Sequence, residues 1–284
     1  MKIARFALLA AGILSCTITA ESQYLHRSLH SDNEFRMEFS APSAHYFPLF
    51  GKGDDSASAI KGLIRYGNLI IDPLGKSETA VFKGEEQVIY VLEGTGMITC
   101  DKAEIPVSVN DFIYIPAGSL LAFSNPRERK LSLFLMGFRI IPGDTIKPSP
   151  AMMIANADEV KFQVLGSHGP TTTFQLLMGT TLSTRDRLAS ASRVSSLFVM
   201  DFAAGGTNIP HRHDDEEEIY YILRGKGDIV AGETSEGKEH RHPSQAGDAY
   251  FFSPGTLIGF YSGNAEGDEH ARILAVRFRY PAKQ

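Results

Sequence analysis

The chain is patterned as short apolar runs separated by turn residues, and long amphipathic segments are scarce. Residues 88–92 and 219–223 are two such runs, and a glycine follows each of them closely. Short runs of aliphatic and aromatic residues bounded by Gly, Pro, Asn or Asp are typical of strands in a β-sandwich or β-barrel. The pattern therefore predicts an all-β protein, with one short helix at 155–160.

The pattern occurs twice along the chain. Residues 88–96 and 219–227 share a tyrosine, a leucine and two glycines at equivalent positions, and 110–118 parallels 247–255. The dipeptide Phe-Arg closes both units, and a segment rich in Pro, Gly and Ser separates them. We therefore predict two tandem jelly-roll β-barrels. The predicted division is a leader at 1–20, an N-terminal arm at 21–44, a first barrel at 45–142, a linker at 143–159 and a second barrel at 160–284.

Length and charge narrow the class of protein. A chain of 284 residues, 43% of them hydrophobic, is long enough for two domains with ordinary cores. The formal net charge is −5, and no basic run with interleaved aromatic residues occurs. Nucleic acid is therefore not expected as a partner, whereas a small-molecule ligand and assembly into a homo-oligomer both stay open.

The N-terminus has the order of charged and apolar residues found in secretory signal peptides. Lys2 and Arg5 precede an apolar stretch at 6–14, and small or polar residues follow as far as Ala20. The stretch is too short to span a bilayer, and no later one is long enough. Residues 13–16 also resemble a bacterial lipoprotein box, in which Cys16 would be lipidated, although Leu14 is unusual there. We expect an exported protein, periplasmic or secreted, with a lipid anchor at Cys16 or a cut after Ala20; a cytoplasmic chain is the third interpretation.

The cysteine content does not predict a disulfide that would stabilise the fold. Removal of the leader leaves Cys100, alone or together with a lipidated Cys16. Neither case allows an intrachain disulfide, so packing of the cores must stabilise the fold. We expect Cys100 to be a buried small apolar residue rather than a nucleophile.

The most specific candidate site lies between Gly205 and Gly225. His211 and His213 are two residues apart, so a β-strand would direct both imidazoles to one face. Glu218 follows five residues later and opens the apolar run at 219–223. Two imidazoles and one carboxylate are ligands that iron(II), manganese(II), nickel or zinc accept. The pattern predicts one divalent transition metal bound by these three residues; the alternative is a pocket without metal, in which they hydrogen-bond one another.

The acidic residues just before Glu218 need a separate interpretation. Residues 214–217 are all Asp or Glu, and we expect a solvated turn that raises the local cation concentration. Glu217 as the ligand would change the face of the strand, since side chains alternate with period two. Glu218 is therefore the predicted ligand.

This stretch resembles the first motif of the cupin superfamily, in which a glycine, an HxH pair, a glutamate and a second glycine follow at fixed spacing. The second cupin motif is similar to the Gly-Asp turn at 247–248 and the Ser-Pro-Gly turn at 253–255. The chain departs from that motif at three positions. Ile258 stands where the family has a third histidine ligand, Ser262 where it has asparagine, and Ser253 where it has the proline of the turn. The resemblance implies a bicupin with three of the four usual ligands in its second barrel.

The first barrel lacks these ligands. With the shorter spacer of the family, Val81, Lys83 and Gln87 stand in place of the two histidines and the glutamate. An ungapped overlay places Ala80 and Phe82 there instead. Neither set can bind a transition metal, so the resemblance implies a degenerate N-terminal cupin that is a structural partner of the second barrel.

A pocket beside the three ligands is also expected. Alternation along the strand places Tyr220 and Ile222 on the face of Glu218, which gives apolar walls with one polar group. Such a pocket suits a small organic acid, an aromatic compound or a sugar derivative. The predicted pocket residues are Tyr220, Ile222, Tyr250, Ile258 and Tyr261.

The fourth coordination position has several candidate occupants. Tyr250 and Tyr261 lie on predicted strands near the site and offer phenol oxygens. His240 and His242 form a second HxH pair, which we expect to be exposed at the barrel edge, and His45 is a further candidate. Water is the simplest choice.

Two histidines and one carboxylate with open positions form the ligand set of non-haem iron(II) oxygenases. The resemblance therefore implies a metal-dependent oxidoreductase of the dioxygenase type, or an isomerase, decarboxylase or hydrolase that uses another metal. No catalytic residue beyond the ligands is identified. The alternatives are a non-catalytic module that binds a small molecule or sugar, and a lipid-anchored structural protein. Fold alone does not decide among them.

Overall fold

The computed structural model describes residues 24–29, 33–54, 57–166, 168–264 and 269–279. Within these ranges the chain consists of β-strands and two 3₁₀ turns, Ala57–Ala59 and Ala157–Glu159, which confirms the all-β prediction. The first eleven strands are β1 (Tyr24–Ser28), β2 (Ala44–Gly51), β3 (Leu63–Ile71), β4 (Ala80–Val81), β5 (Glu85–Glu93), β6 (Thr95–Cys100), β7 (Ala103–Ser108), β8 (Asp111–Ile115), β9 (Leu120–Ser124), β10 (Leu131–Arg139) and β11 (Met153–Asn156). The other nine are β12 (Thr172–Thr180), β13 (Leu188–Ala191), β14 (Val194–Phe202), β15 (Glu216–Arg224), β16 (Lys226–Glu233), β17 (Glu239–Gln245), β18 (Asp248–Phe252), β19 (Ile258–Ser262) and β20 (Arg272–Arg279).

Each half of the chain is an open barrel of two sheets. In the first half a six-stranded sheet, ordered β11-β8-β5-β10-β3-β2, packs on a four-stranded sheet, β4-β9-β6-β7. In the second half a seven-stranded sheet, β1-β18-β15-β20-β14-β12-β13, packs on a three-stranded sheet, β17-β16-β19. One apolar core lies inside each barrel. The predicted pair of jelly-roll barrels is confirmed.

The two large sheets also pack against each other and form a third apolar core between the halves. The ring centroids of Phe134 and Tyr221 are 4.5 Å apart across this interface, and those of Phe138 and Phe278 are 5.1 Å apart. The central strands β5 and β15 are therefore buried on both faces. This explains why their sequences are continuous apolar runs rather than alternating ones.

The two halves exchange edge strands. Strand β1, from the arm predicted at 21–44, pairs antiparallel with β18 of the second half. Strand β11, from the linker predicted at 143–159, pairs with β8 of the first half. The short helix predicted at 155–160 is only one 3₁₀ turn, Ala157–Glu159, because residues 155 and 156 belong to β11; the N–H of Asp158 donates to the side chain of Asn156 (2.9 Å). These edges are thus covered by chain segments rather than left open.

Two buried glutamates join the halves reciprocally. Glu86 on β5 accepts hydrogen bonds from the backbone N–H groups of Ser192 (2.8 Å) and Arg193 (2.7 Å) in the second half. Glu217 on β15, at the equivalent position of the repeat, accepts from the N–H groups of Lys61 (2.8 Å) and Gly62 (2.6 Å) in the first half. The solvated turn predicted at 214–217 is therefore wrong for Glu217, whose side chain has no exposed surface.

The backbone donors offset the cost of burying these carboxylates. Burial raises the pKa of Glu217 to about 7, and it also raises the pKa of Glu86, because the charged form loses its hydration. Three backbone N–H groups and the hydroxyl of Ser192 surround Glu86. Such a carboxylate can be replaced only by a group that accepts several hydrogen bonds at once.

Two further sequence expectations can be placed. Cys100 is a free, buried residue at the end of β6, and burial raises the pKa of its thiol. No helix in the described part of the chain has the length and apolarity needed to cross a membrane. The predicted leader at 1–20, with Cys16, lies outside the described residues.

Replacement of Glu86 by Gln tests the buried contacts between the halves. The amide group would direct N–H donors toward backbone N–H groups, so we expect E86Q to lower the free energy of unfolding by about 1–3 kcal/mol. The melting temperature would fall by roughly 2–4 °C for each kcal/mol. Thermal and urea unfolding measure the change.

The matched control is E93Q. Glu93 lies on the same strand, and its contact with Lys130 (3.1 Å) joins two half-exposed side chains. We expect the control to change stability by no more than about 0.5 kcal/mol. If E86Q were as stable as the E93Q control, the buried contacts would not be what secures the halves.

Candidate metal centre

The two histidines lie on a loop that is fastened to the small sheet of the second barrel. The backbone of His211 pairs with that of Ile258 through two hydrogen bonds of 2.8 and 2.9 Å. The carbonyl of His213 accepts from the N–H of Gly255 (2.8 Å). Upstream, the buried side chain of Asn208 accepts from the N–H of Phe260 (2.8 Å). The loop is therefore held in place at its beginning and at both histidines.

Glu218 reaches the histidines from the facing large sheet. It lies on β15, where it pairs with Arg277 of β20 on one side and Phe252 of β18 on the other. Because side chains alternate along a strand, Glu217 points to the other half and Glu218 points into the barrel. The pleat thus separates a structural glutamate from the candidate ligand next to it.

The three predicted ligands converge. The Nε2 atoms of His211 and His213 are 3.1 Å apart, and Nε2 of His213 is 3.2 Å from Oε2 of Glu218. One donor atom from each residue lies within 4.8 Å of the other two. Glu218 is 2% exposed, and both histidines are partly buried. This is the one such cluster of His, Cys, Asp and Glu in the part of the chain that the structure describes.

The donor atoms of His211 and Glu218 are in the state that a divalent cation requires. Nδ1 of His211 lies 2.9 Å from the carbonyl oxygen of Ile209, so it carries the proton and leaves the Nε2 lone pair free. Burial lowers the pKa of His211, which favours the neutral ring. Oε2 of Glu218 is buried, and no donor within the described ranges is oriented to hydrogen-bond it. A buried carboxylate oxygen without a donor is costly unless a cation neutralises it, so these residues fit a divalent metal.

A cavity of about 270 Å³ opens beside the three ligands. Its floor includes Tyr220, whose hydroxyl lies 3.2 Å from Nδ2 of Asn208 and whose pKa is raised by burial. Most of the wall is apolar, and two arginines and a third histidine interrupt it. The residues that line the cavity besides the three ligands are Leu165, His168, Phe174, Leu176, Arg185, Ser196, Phe198, Met200, Asn208, Ile209, Tyr220 and Arg277.

Of the predicted pocket residues, Tyr220 lines this cavity and four others do not. Ile222 and Ile258 are buried in the apolar core of the second barrel, outside the cavity wall. Tyr250 bonds to the hydroxyl of Ser244 (2.9 Å). Alternation along a strand identifies the correct face, but it does not identify the height along the barrel.

Tyr261 and the additional histidines lie elsewhere. Tyr261 is partly exposed, and its hydroxyl donates to Glu239 (2.9 Å). His240 is exposed and His242 partly buried on β17, with ring centroids 4.2 Å apart. His45 lies in the first half, between two acidic side chains on the surface. None of them supplies a fourth ligand in this structure.

Sequence reasoning missed three titratable residues of the cavity. The ring of His168 packs edge-on against that of His211, with centroids 4.9 Å apart. Arg277 lies with Nη1 3.3 Å from Nε2 of His213 and with Nε 2.9 Å from Glu216. The third residue is Arg185. Arg277 was detectable as a charged residue inside the apolar run of β20, whereas His168 and Arg185 lie in loops without periodicity.

The register of the first half identifies the positions equivalent to the histidines. Ala80 pairs with Leu121, as His211 pairs with Ile258 in the second half. Leu121 and Ile258 are equivalent in the repeat, so Ala80 and Phe82 occupy the positions of the two histidines. The ungapped overlay is therefore the correct one.

The alternative counterparts, Val81 and Lys83, are both exposed, which corrects the overlay with the shorter spacer. Gln87 occupies the position of the carboxylate ligand. The guanidinium of Arg65 lies 4.1 Å from the ring centroid of Phe82 and fills the remaining space. No His, Cys, Asp or Glu cluster suited to a metal occurs among the described residues of this half.

Comparisons with solved structures support the same architecture. A Pseudomonas aeruginosa protein described as glyoxylate-induced superposes with a TM-score of 0.73 at 14% identity, over 100% of this chain and 98% of its own. Protein Ylba from E. coli gives 0.68 at 15% identity, over 93% and 94%. A deletion mutant of oxalate decarboxylase from Bacillus subtilis gives 0.63 at 13% identity, over 89% and 76%. Identities this low show a shared fold and nothing finer.

The sequence itself gives the family. No curated protein matches the chain. The profile of the cupin domain matches residues 70–137 and 198–277, one segment in each half and together just over half of the chain. The motif residues of the second half, the two-sheet barrels and the matched segments agree. The chain belongs to the cupin family and contains two cupin domains.

Proposed function

We propose that this protein is an exported, metal-dependent bicupin that acts on a small organic molecule in its second barrel. The observation that supports the metal most directly is the buried Oε2 atom of Glu218, which lies 3.2 Å from Nε2 of His213 and has no donor aligned to hydrogen-bond it among the described residues. The first barrel would be a structural partner. The proposed reaction is of the dioxygenase type, with isomerase or hydrolase chemistry as the variant for metals other than iron.

The ligand set defines the candidate metals. Two nitrogen donors and one carboxylate oxygen suit iron(II), manganese(II), nickel or zinc. When bound, such a cation supplies Lewis acidity and open coordination positions, and iron(II) also allows oxygenase chemistry. Three protein ligands are typical of catalytic sites, since structural sites are usually closed by four.

The surrounding residues position the ligands. The carbonyl of Ile209 fixes the tautomer of His211, and the guanidinium of Arg277 packs against His213. Glu216 holds Arg277 in turn through a 2.9 Å contact. Phe198 and its neighbours give the cavity an apolar wall beside the ligands. Such contacts orient the metal ligands and tune the affinity of the site for metal.

Metal content is the first test. We expect the mature protein, purified without a histidine tag, to contain near-stoichiometric iron, manganese, nickel or zinc, measured by plasma mass spectrometry. The double variant H211A/H213A should contain none. The matched control is H240A/H242A, which removes the second HxH pair, on β17 and outside the cavity, and should keep the metal. An unmodified protein without metal, even after reconstitution, would leave a non-catalytic binding module.

The variant E218Q tests the carboxylate in a different way. Without metal, we expect it to be more stable than the unmodified protein by about 1 kcal/mol, because a neutral amide costs less to bury than an unpaired carboxylate. With metal at roughly 100 times its Kd, the unmodified protein should gain about 2.7 kcal/mol and E218Q much less. Melting temperatures with and without metal show this reversal.

The exposed Glu236 provides the control, E236Q, which should respond to metal as the unmodified protein does. If metal stabilised E218Q as much as the unmodified protein, Glu218 would not be a ligand.

Export is proposed from the charged and apolar order of residues 1–20. We expect the mature chain to begin after Ala20 or at a lipidated Cys16. Mass spectrometry of the N-terminal peptide from periplasmic, secreted and membrane fractions distinguishes these cases. An intact Met1 in a cytoplasmic fraction would contradict export.

A further inference from the structure

We infer that the cavity of the second barrel binds a small organic acid, whose carboxylate contacts Arg185 and whose apolar body lies against the wall of β12 and β14. This inference rests on the proposed function, because it names the substrate class of the same site. Arg185, Arg277 and Glu218 are the Asp, Glu, Lys or Arg residues that line the cavity.

The polar side of the cavity is a row across three neighbouring strands. Ser196 of β14 pairs in register with Arg277 of β20, and Arg277 pairs with Glu218 of β15. Nη2 of Arg185 donates to the hydroxyl of Ser196 (3.3 Å) and extends the row by one residue. Neighbouring strands are about 4.8 Å apart, so Ser196 and Glu218 are separated by roughly 10 Å. One end of the row is cationic, and the other contains the candidate metal ligands.

Arg185 is held at the cavity by a turn that side-chain and backbone hydrogen bonds stabilise. Asp186, whose side chain is 1% exposed, accepts from the hydroxyl of Ser183 and lies 3.6 Å from Nε of Arg185. The N–H of Arg187 donates to the carbonyl of Leu176 (3.1 Å). Nη1 of Arg185 has no acceptor among the described residues, and its side chain is about half exposed, at 49%. A guanidinium that is fixed on one side and free on the other is suited to an incoming carboxylate.

The charges that face the cavity favour an anion. Arg185 and Arg277 line it, whereas their own acidic neighbours, Asp186 and Glu216, lie outside the lining. Glu218 is the one carboxylate that lines it, and a divalent cation would more than neutralise that charge. Because Asp186 and Glu216 offset the two arginines, these groups and Glu218 together carry a net charge of −1 without metal and +1 with a divalent cation. The metal-loaded cavity is therefore cationic, and its low-dielectric wall strengthens the attraction for a ligand anion.

The remaining wall favours an acid with an apolar body over a sugar. Phe174 and Leu176 of β12 and Phe198 and Met200 of β14 present apolar surface, to which the hydroxyls of a sugar could not bond. A volume of about 270 Å³ is at the lower limit of ligand pockets, which indicates a small metabolite. A short carbon chain or ring with one carboxylate satisfies both the wall and the arginine.

The test uses hexanoate as the probe and hexanamide as its uncharged analogue, in calorimetric titrations of metal-loaded and metal-free protein. We expect hexanoate to bind. Hexanamide should bind roughly 10- to 100-fold more weakly, because it cannot form the charge-assisted hydrogen bond with Arg185. R185Q should weaken hexanoate by a similar factor, and R185K should restore part of the affinity. R187Q is the matched control, because Arg187 lies on the same turn, outside the cavity, in an exposed pair with Glu159.

Several outcomes would overturn the inference. These are equal binding of acid and amide, equal binding of inorganic phosphate and hexanoate, or unchanged hexanoate affinity in R185Q. Metal content of every variant is measured in parallel. Metal bound normally in R185Q, together with lost hexanoate binding, supports the inference, whereas Arg185-dependent hexanoate binding in a protein that never binds metal would refute only the proposed metal chemistry.

Discussion

The arrangement of the whole molecule depends on two carboxylates that are buried where the halves meet. Glu86 and Glu217 each cross from the central strand of one large sheet to backbone N–H groups of the other half. Since an uncompensated buried carboxylate is costly, these contacts form only when both sheets are in one relative position. Glu217 also fixes the register of β15. The next residue, Glu218, therefore projects into the second barrel, so the same constraint that joins the halves positions the candidate ligand.

The two halves differ by the exchange of an arginine between neighbouring strands. In the first half Arg65 of β3 pairs with Gly137 of β10, and in the second half Ser196 of β14 pairs with Arg277 of β20. Each arginine meets the first glutamate of the central strand. A Cβ at Gly137 would lie 2.8 Å from Oε2 of Glu85 and 3.0 Å from Nη1 of Arg65, so a larger residue there would displace this ion pair.

That exchange decides which half keeps a cavity. In the first half Arg65 is almost completely buried and lies over Phe82, so the space equivalent to the metal centre is filled. In the second half a histidine replaces the phenylalanine, and the arginine comes from β20, the strand next to the central strand β15. The three ligands and the cavity beside them result from these changes in side chains on one shared scaffold.

The sequence predicted the fold and the three converging residues because both are local patterns. Strand-length apolar runs, their repetition, and the HxH pair with its glutamate and glycines are all read within short windows. The errors concern contacts that no window contains. Glu217 was assigned to solvent because its partners, Lys61 and Gly62, are some 155 positions away. The side chain of Tyr250 points into the second barrel, as predicted, but lies away from the cavity along the barrel axis. Arg185 lies in a loop, where the sequence has no hydrophobic periodicity to reveal it.

The absence of a third histidine is a structural feature of the second barrel rather than a gap in it. Ile258, which stands at that position, is buried in the apolar core, and its backbone forms the pair that holds His211. The side toward Ile258 is thus closed by packed side chains, and the cavity side is lined by His168, Arg185 and apolar residues. These three ligands would hold a metal beside the cavity, so a small molecule would reach it from there. This favours exchange of ligands there over a purely structural metal, because structural sites are closed on all sides.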